Sequence, residues 1–230
     1  LELGYGMIPL VDEEQDGELL KRIKAIRRQI AIDYGYIVPP LHIKDNLELS
    51  PGEYSITIKG IEIARNELMM GHHLAMKTGD VDEEIPGVDT VEPAFGLPAI
   101  WIAEEDEERA QFAGYTVVDL PTVLATHLTE VLKNHAFEFI GRQETQKLID
   151  SHAKSEPKVV EELIPSLVSL GVVQKVLQNL LKELVSIRDL HTILETLADV
   201  APITKDPDLL TEHVRQSLSR QITRQYQTPD

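Results

Sequence analysis

Eight histidines are the side chains here best suited to metal or acid–base chemistry at neutral pH. Their spacing does not assemble a site. His72 and His73 are adjacent, so on a strand or loop they point apart. His127 and His135 fall two helical turns apart, and no HExxH pair occurs. The runs Asp82-Glu83-Glu84 and Glu104-Glu105-Asp106-Glu107-Glu108 carry charge enough for a cation. They lack the alternating Asp/Asn ligands and central glycine of a calcium loop, so they read as solvated faces. Gly4 and Gly6 have no third glycine after them, and neither GxxxxGK[ST] nor GxSxG is present. The absence of cysteine excludes disulfides, thiolate metal sites and thiol nucleophiles, and fits a reducing compartment. No catalytic residue, metal ligand or cofactor is therefore expected. A hydrolytic or transfer enzyme would need a deep cleft where a histidine and an acid meet within hydrogen-bond reach.

One segment points to recognition of another protein. Val91-Glu92-Pro93-Ala94-Phe95-Gly96-Leu97-Pro98 sets a large aromatic between residues that disfavour helix. The chain has only four Phe and one Trp, so an aromatic in a loop stands out. Proline and glycine fix the path of the loop, which would present Phe95 at a surface cleft at low entropic cost. The other reading is that Phe95 plugs the core beneath its own loop. Sequence pattern leaves both open.

The elements that would carry this loop can be read from periodicity. Asp16 can cap a helix running to Tyr34, with Gly35 as a left-handed stop. Leu19, Ile23, Ile26 and Ile30 form its buried stripe, while Lys21, Arg22, Lys24, Arg27 and Arg28 crowd the rest of its surface. That basic cluster is a solvated face paired with local acids, or a partner contact. Residues 37–43 carry two prolines and predict an edge strand or an extended approach to one. Tyr54, Ile56 and Ile58 alternate, and beyond Gly60 the parity flips to Ile61 and Ile63. A bulge or bend at Gly60 would keep both sets on one core, as one bent strand or two short ones. Residues 71–93 read as loop, 99–103 as strand, 104–113 as helix and 115–120 as strand. Pro121 and Thr122 open a helix with Leu124, Leu128, Val131 and Leu132 inward. From Arg142 the pattern is helical, over about 142–152, 157–163, 172–184, 188–199 and 206–225. The fold class is thus α+β: a mixed α/β front and an all-helical back.

Composition narrows the partners. A net charge of −17 opposes binding to nucleic acid or anionic lipid, which need clustered cations. Helices at 172–184 and 188–199, joined through Val185-Ser186-Ile187, suggest a helix-turn-helix on paper. The candidate reading helix offers only Arg188 and His191 before Glu195 and Asp199, too little positive charge for DNA. No apolar run approaches the roughly 20 residues needed to span a bilayer, so the fragment is expected to be soluble. A start at Leu1 and a bare Thr228-Pro229-Asp230 make both ends read as cut.

Several runs resemble one family. Leu3-Gly4-Tyr5-Gly6-Met7-Ile8-Pro9-Leu10-Val11-Asp12, Glu92-Pro93-Ala94-Phe95-Gly96-Leu97-Pro98 and Ala125-Thr126-His127-Leu128 are similar to the FlhA/LcrD family of type III secretion export-gate proteins. Gly141-Arg142-Gln143-Glu144, Lys175-Val176-Leu177-Gln178-Asn179-Leu180-Leu181 and the run Ile187 to Leu197 match it too, in the family's order and closest to the flagellar branch. The resemblance implies a non-enzymatic docking platform on the cytoplasmic side of the bacterial inner membrane, anchored by an N-terminal membrane domain outside this sequence. It implies a first α/β subdomain from residues 1–70 with 120–139, interrupted by a small inserted α/β subdomain at 71–119. Residues 140–230 would hold a helical third subdomain and the cut end, with a fourth subdomain absent. A cleft between the first two subdomains would receive flagellar export chaperones carrying cargo, and nine copies of the full-length protein would form a ring with other export-apparatus proteins. The partner-binding positions carry over as Phe95, Thr126 and Glu92, the last usually an Asp. Leu97, Val118 and Val123 would be their apolar neighbours, with Glu92 and Thr126 at the rim. The rival within the resemblance is a structural ring subunit of a virulence-type gate that binds no chaperone itself.

Overall fold

The architecture is that of a computed structural model in which residues 1–12 and 17–227 are described. Helix α1 spans Glu18–Tyr34. Leu19, Ile23 and Ile30 of its stripe are buried and Ile26 is half-buried, so the four-three-four spacing does set one inward face. Asp16, the expected cap, lies outside the described residues. Gly35 ends the helix at φ +80°, its N–H donating to the Ala31 carbonyl at 3.1 Å. A Cβ there would fall 2.5 Å from the Arg188 Cα, so conformation and space both demand glycine.

The chain divides into two compact units. The first is Leu1–Ile26 with Pro40–Leu132; the second is Arg27–Pro39 with the chain from Lys133 onward. The first holds two four-stranded sheets. One is built from β1 (Glu2–Leu3), β2 (Lys44–Asp45), β3 (Glu53–Ile58) and β4 (Ile61–Glu67), in the order β2-β1-β3-β4. The other uses β5 (His72–Lys77), β6 (Val88–Val91), β7 (Pro98–Ala103) and β8 (Tyr115–Val118), in the order β6-β7-β5-β8. Strands β7 and β8 both pair antiparallel with β5 and so run the same way. Helix α2 (Glu107–Phe112) carries the crossover between them, the split form of a βαβ unit. Its Ala110, with Ala113, packs on Ala75, Ile85, Ile102 and Tyr115 to make the core of this sheet.

One expectation resolves between its two forms, and three need correcting. Residues 37–43 are the extended approach to a strand and not the strand itself; they lead to the two-residue β2, with Tyr36 and Val38 buried and Ile37 exposed. Pro39 and Pro40 cannot donate to a ladder, and the Val38 carbonyl is taken by the Arg27 guanidinium at 2.9 Å. The segment around Gly60 is two strands in a tight hairpin. Lys59 and Gly60 take φ of +52° and +81°, the positive pair that a two-residue hairpin turn requires. A register shift falls at Ile56/Thr57. Ile61 is exposed rather than sharing the core of Tyr54, Ile56 and Ile58. Within 71–93, expected as loop, lie β5 and β6. Finally, the helix expected over 206–225 breaks at the buried Leu218 into α8 (Pro207–Ser217) and α9 (Ser219–Tyr226).

Helix α3 (Leu120–Asn134) begins where Asp119 Oδ1 accepts from the Thr122 amide at 2.8 Å, an N-terminal cap. Asp119 Oδ2 also meets Arg22 at 3.2 Å, and Arg22 donates to Thr122 Oγ1 at 2.7 Å. This pins α1 to the start of α3. The second unit contains α4 (Arg142–Ala153), α5 (Pro157–Glu162), α6 (Leu170–Lys182), α7 (Leu190–Val200), α8 and α9. Val173, Val176, Leu177, Leu180 and Leu181 of α6 are all fully buried. They face α4 and α8, and α8 in turn packs on α7. The α+β class holds, with two small sheets preceding a helical region.

Candidate functional site

Strands β6 and β7 form a hairpin in which Val91 pairs with Pro98. Between them the Glu92 amide donates to the Leu97 carbonyl at 2.8 Å, and the Gly96 amide to the Glu92 carbonyl at 2.9 Å. Gly96 takes φ +70° with open space where a Cβ would sit, so glycine is needed here for conformation alone. The Glu92 side chain turns inward. Its Oε1 accepts from the Ala94 amide and its Oε2 from the Phe95 amide, both at 2.8 Å. One carboxylate thus satisfies two turn donors that would otherwise lack partners.

The consequence for Phe95 decides between its two readings. Its side chain is 61% exposed, flanked by Val91 at 57% and Leu97 at 49%. The aromatic does not plug the core; it stands on a turn whose backbone is tied at both ends. Glu92 is 4% exposed, so it is not the rim group expected. Its oxygens are spent on holding the turn. Thr126 Oγ1 donates to the Thr122 carbonyl within α3 at 2.8 Å and is half-buried. Val118 is half-buried, and Val123 is buried in the inner face of α3. The six expected positions therefore sort into exposed Phe95 and Leu97, half-buried Val118 and Thr126, and buried Glu92 and Val123.

Two residues that sequence reading missed lie close to Glu92. The Tyr54 hydroxyl meets His127 Nδ1 at 2.6 Å in a buried contact, with the rings edge-on. Burial pushes the Tyr54 hydroxyl well above its usual range, and the Glu92 charge adds to the rise. Burial pulls His127 below its ordinary value, and the same Glu92 charge opposes that shift. The available signal was a histidine set in the apolar face made by Leu124, Leu128 and Val131, opposite a tyrosine in a period-two strand.

Several of the other polar groups singled out in the sequence have neighbours close by. His72 Nδ1 contacts the Met70 carbonyl at 3.1 Å, and His73 Nδ1 lies 3.4 Å from Glu107. Glu83 pairs with Arg109, and Glu84 with Lys77 at 2.6 Å. In the basic cluster, Arg22 pairs with Glu18 at 2.7 Å as well as with Asp119. Histidine–carboxylate pairs within hydrogen-bond reach do occur, at His135–Glu138 (2.9 Å) and His191–Glu156 (2.7 Å). Both pairs are partly exposed to solvent, not in the deep cleft that hydrolysis would require. In the helix-turn-helix candidate, Val185 and Ile187 are buried, and the Ile187 amide donates to the Tyr34 carbonyl at 3.0 Å. That linker is part of a packed core.

The geometry defines an α+β protein with two small sheets, a helical C-terminal region and an aromatic displayed on a rigid turn. The chain belongs to the FHIPEP family, which matches it over residues 1–230. It is 54% identical over 225 residues to the flagellar biosynthesis protein FlhA of Bacillus subtilis, covering 98% of this chain and 33% of that protein. To FlhA of Escherichia coli it is 50% identical over 226 residues, with the same two shares, 98% and 33%. The chain thus spans about a third of the length of the curated relatives it matches. Among solved structures it is similar to Chlamydia pneumoniae CdsV in its complex with CdsO. The TM-score is 0.86 at 28% identity, over 98% of this chain and 72% of that one. No helix among the described residues is long and apolar enough to cross a membrane.

Proposed function

We propose that this chain is the cytosolic docking part of a flagellar type III export gate, and that it receives export chaperones with their cargo on the surface around Phe95. The observation that carries this reading is the exposed Phe95 on a turn braced by the buried Glu92. A large aromatic held rigid in water loses little entropy on binding and supplies the anchor that interfaces use. Leu97, Val118, Val123 and Thr126 belong to the same proposed cleft, between a first subdomain (1–70 with 120–139) and an inserted one (71–119). The partner would lay a helix into it. Glu92 acts here by shaping the turn, not by touching the partner.

Membership of the family and half-identity to flagellar relatives support the export role and a non-enzymatic chain. The relatives are about three times longer, which leaves room for the membrane anchor and fourth subdomain that the family resemblance implies. The place of the chain is then the cytoplasmic side of the inner membrane, in a homo-oligomeric ring. Contact with another export-apparatus protein draws support from the CdsV relative, solved together with CdsO.

The test is a binding titration of this chain with a flagellar chaperone–cargo complex. Phe95→Ala is expected to lower affinity roughly thirtyfold, about 2 kcal/mol, at an unchanged melting temperature. Unaltered affinity would remove Phe95 from the site. Binding absent in both proteins would favour the structural ring subunit instead.

A further inference from the structure

His152 lies in the last turn of α4, and Glu156 follows four residues later. The Glu156 amide donates to the His152 carbonyl at 3.0 Å, closing the turn that follows α4 and keeping the two residues close. His191, the second residue of α7, comes to meet them. Its Nδ1 is 2.7 Å from Glu156 Oε2, and its ring centroid is 5.9 Å from that of His152. One ligand atom from each of the three lies within 4.8 Å of the other two. His152 Nε2 is enclosed and has no hydrogen-bond partner. An imidazole nitrogen shut away from water without a partner is a donor in want of an acceptor, or a lone pair in want of a Lewis acid.

We propose that His152, Glu156 and His191 form a site for a divalent transition-metal ion, with zinc the best match. Two imidazoles and one carboxylate are the mixed nitrogen–oxygen set that zinc accepts in tetrahedral geometry, a water taking the fourth position. Calcium and magnesium favour all-oxygen shells, which this cluster does not offer. Zinc bonds of about 2.0–2.2 Å require the three groups to draw inward from their present spacing. Glu156 and His191 are half-exposed, so side-chain rotation suffices. Metal binding needs the Glu156 carboxylate ionised and a bare ring nitrogen on each histidine, so any proton held on those ligand atoms leaves to solvent. Bound there, the metal clips the end of α4 and the start of α5 to the start of α7. The second unit gains stability from a ligand that its unfolded chain holds poorly.

The test is calorimetric titration of the whole chain with Zn²⁺, paralleled by visible absorption with Co²⁺. One equivalent is expected to bind, with the intense visible bands of tetrahedral Co²⁺ and a rise in melting temperature. Both signals should vanish in His152→Ala and in His191→Ala, and affinity should fall at least about tenfold in Glu156→Gln. The exposed His213→Ala serves as the control and should behave as wild type. Failure to bind any metal overturns the site, as does binding that survives unchanged in His191→Ala. If His152→Ala does not fold by circular dichroism, the half-exposed Glu156 and His191 variants decide alone.

Discussion

Phe95 and Glu92 show how two residues of one loop take opposite positions, the aromatic outward and the carboxylate inward. Both stand out in sequence as a carboxylate and an aromatic in a Pro/Gly loop. The family resemblance assigns both to the partner, yet the Glu92 carboxylate is consumed by the Ala94 and Phe95 amides. A sequence does not say which way a side chain turns when a tight turn leaves its own amides unpaired. His127 was legible only as a histidine on an apolar helix face; its contact with Tyr54 is 73 residues away in the chain. That buried contact has a measurable consequence. Above the ordinary histidine value, near pH 6.5, His127 is neutral in folded and unfolded chain alike. Below it the unfolded chain takes a proton that the folded chain resists, so stability falls with pH until the depressed folded value is passed. Unfolding free energy measured by urea between pH 7 and pH 5 should therefore drop more steeply in wild type than in His127→Gln. Equal slopes would mean that burial does not shift this histidine.

Elements were legible where periodicity was long and obscure where pairing was distant. Helices α1, α3 and α6 carry apolar stripes over several turns, and the structure places them as the spacing predicts. Strand β5 escaped notice because His72-His73-Leu74-Ala75-Met76-Lys77 lacks β-branched residues. It is a strand because β7 and β8 pair with it on both sides, and tertiary context outweighs propensity. Segment 37–43 took the extended form of its two readings, its β-type residues having no ladder to join. The metal cluster was missed because His152 and Glu156 become partners only when His191 arrives from another helix. Gly35 offers a test at this scale. Alanine there must adopt φ +80° and push against Arg188. Gly35→Ala should destabilise the second unit by about 2 kcal/mol or more, seen as a lowered denaturant midpoint. A change within about 0.5 kcal/mol would show that the α1 stop is not under this constraint.

At the scale of the whole molecule, the chain has two units of different character. One is made of two sheets with α2 and α3, the other largely of helices. A net charge of −17 disfavours phosphate-bearing partners and leaves protein surfaces as the natural counterpart. The chain spans about a third of the length of its curated relatives, so the proposed docking role is that of one part of a longer protein. The central claim is that a chaperone–cargo complex covers the Phe95 turn. Hydrogen–deuterium exchange of this chain, free and saturated with such a complex, tests it most directly. Peptides covering residues 91–99 should slow on binding, because the partner excludes water from the turn and its flanking strands. Protection confined to the helical unit, with residues 91–99 exchanging as in the free chain, would contradict the account.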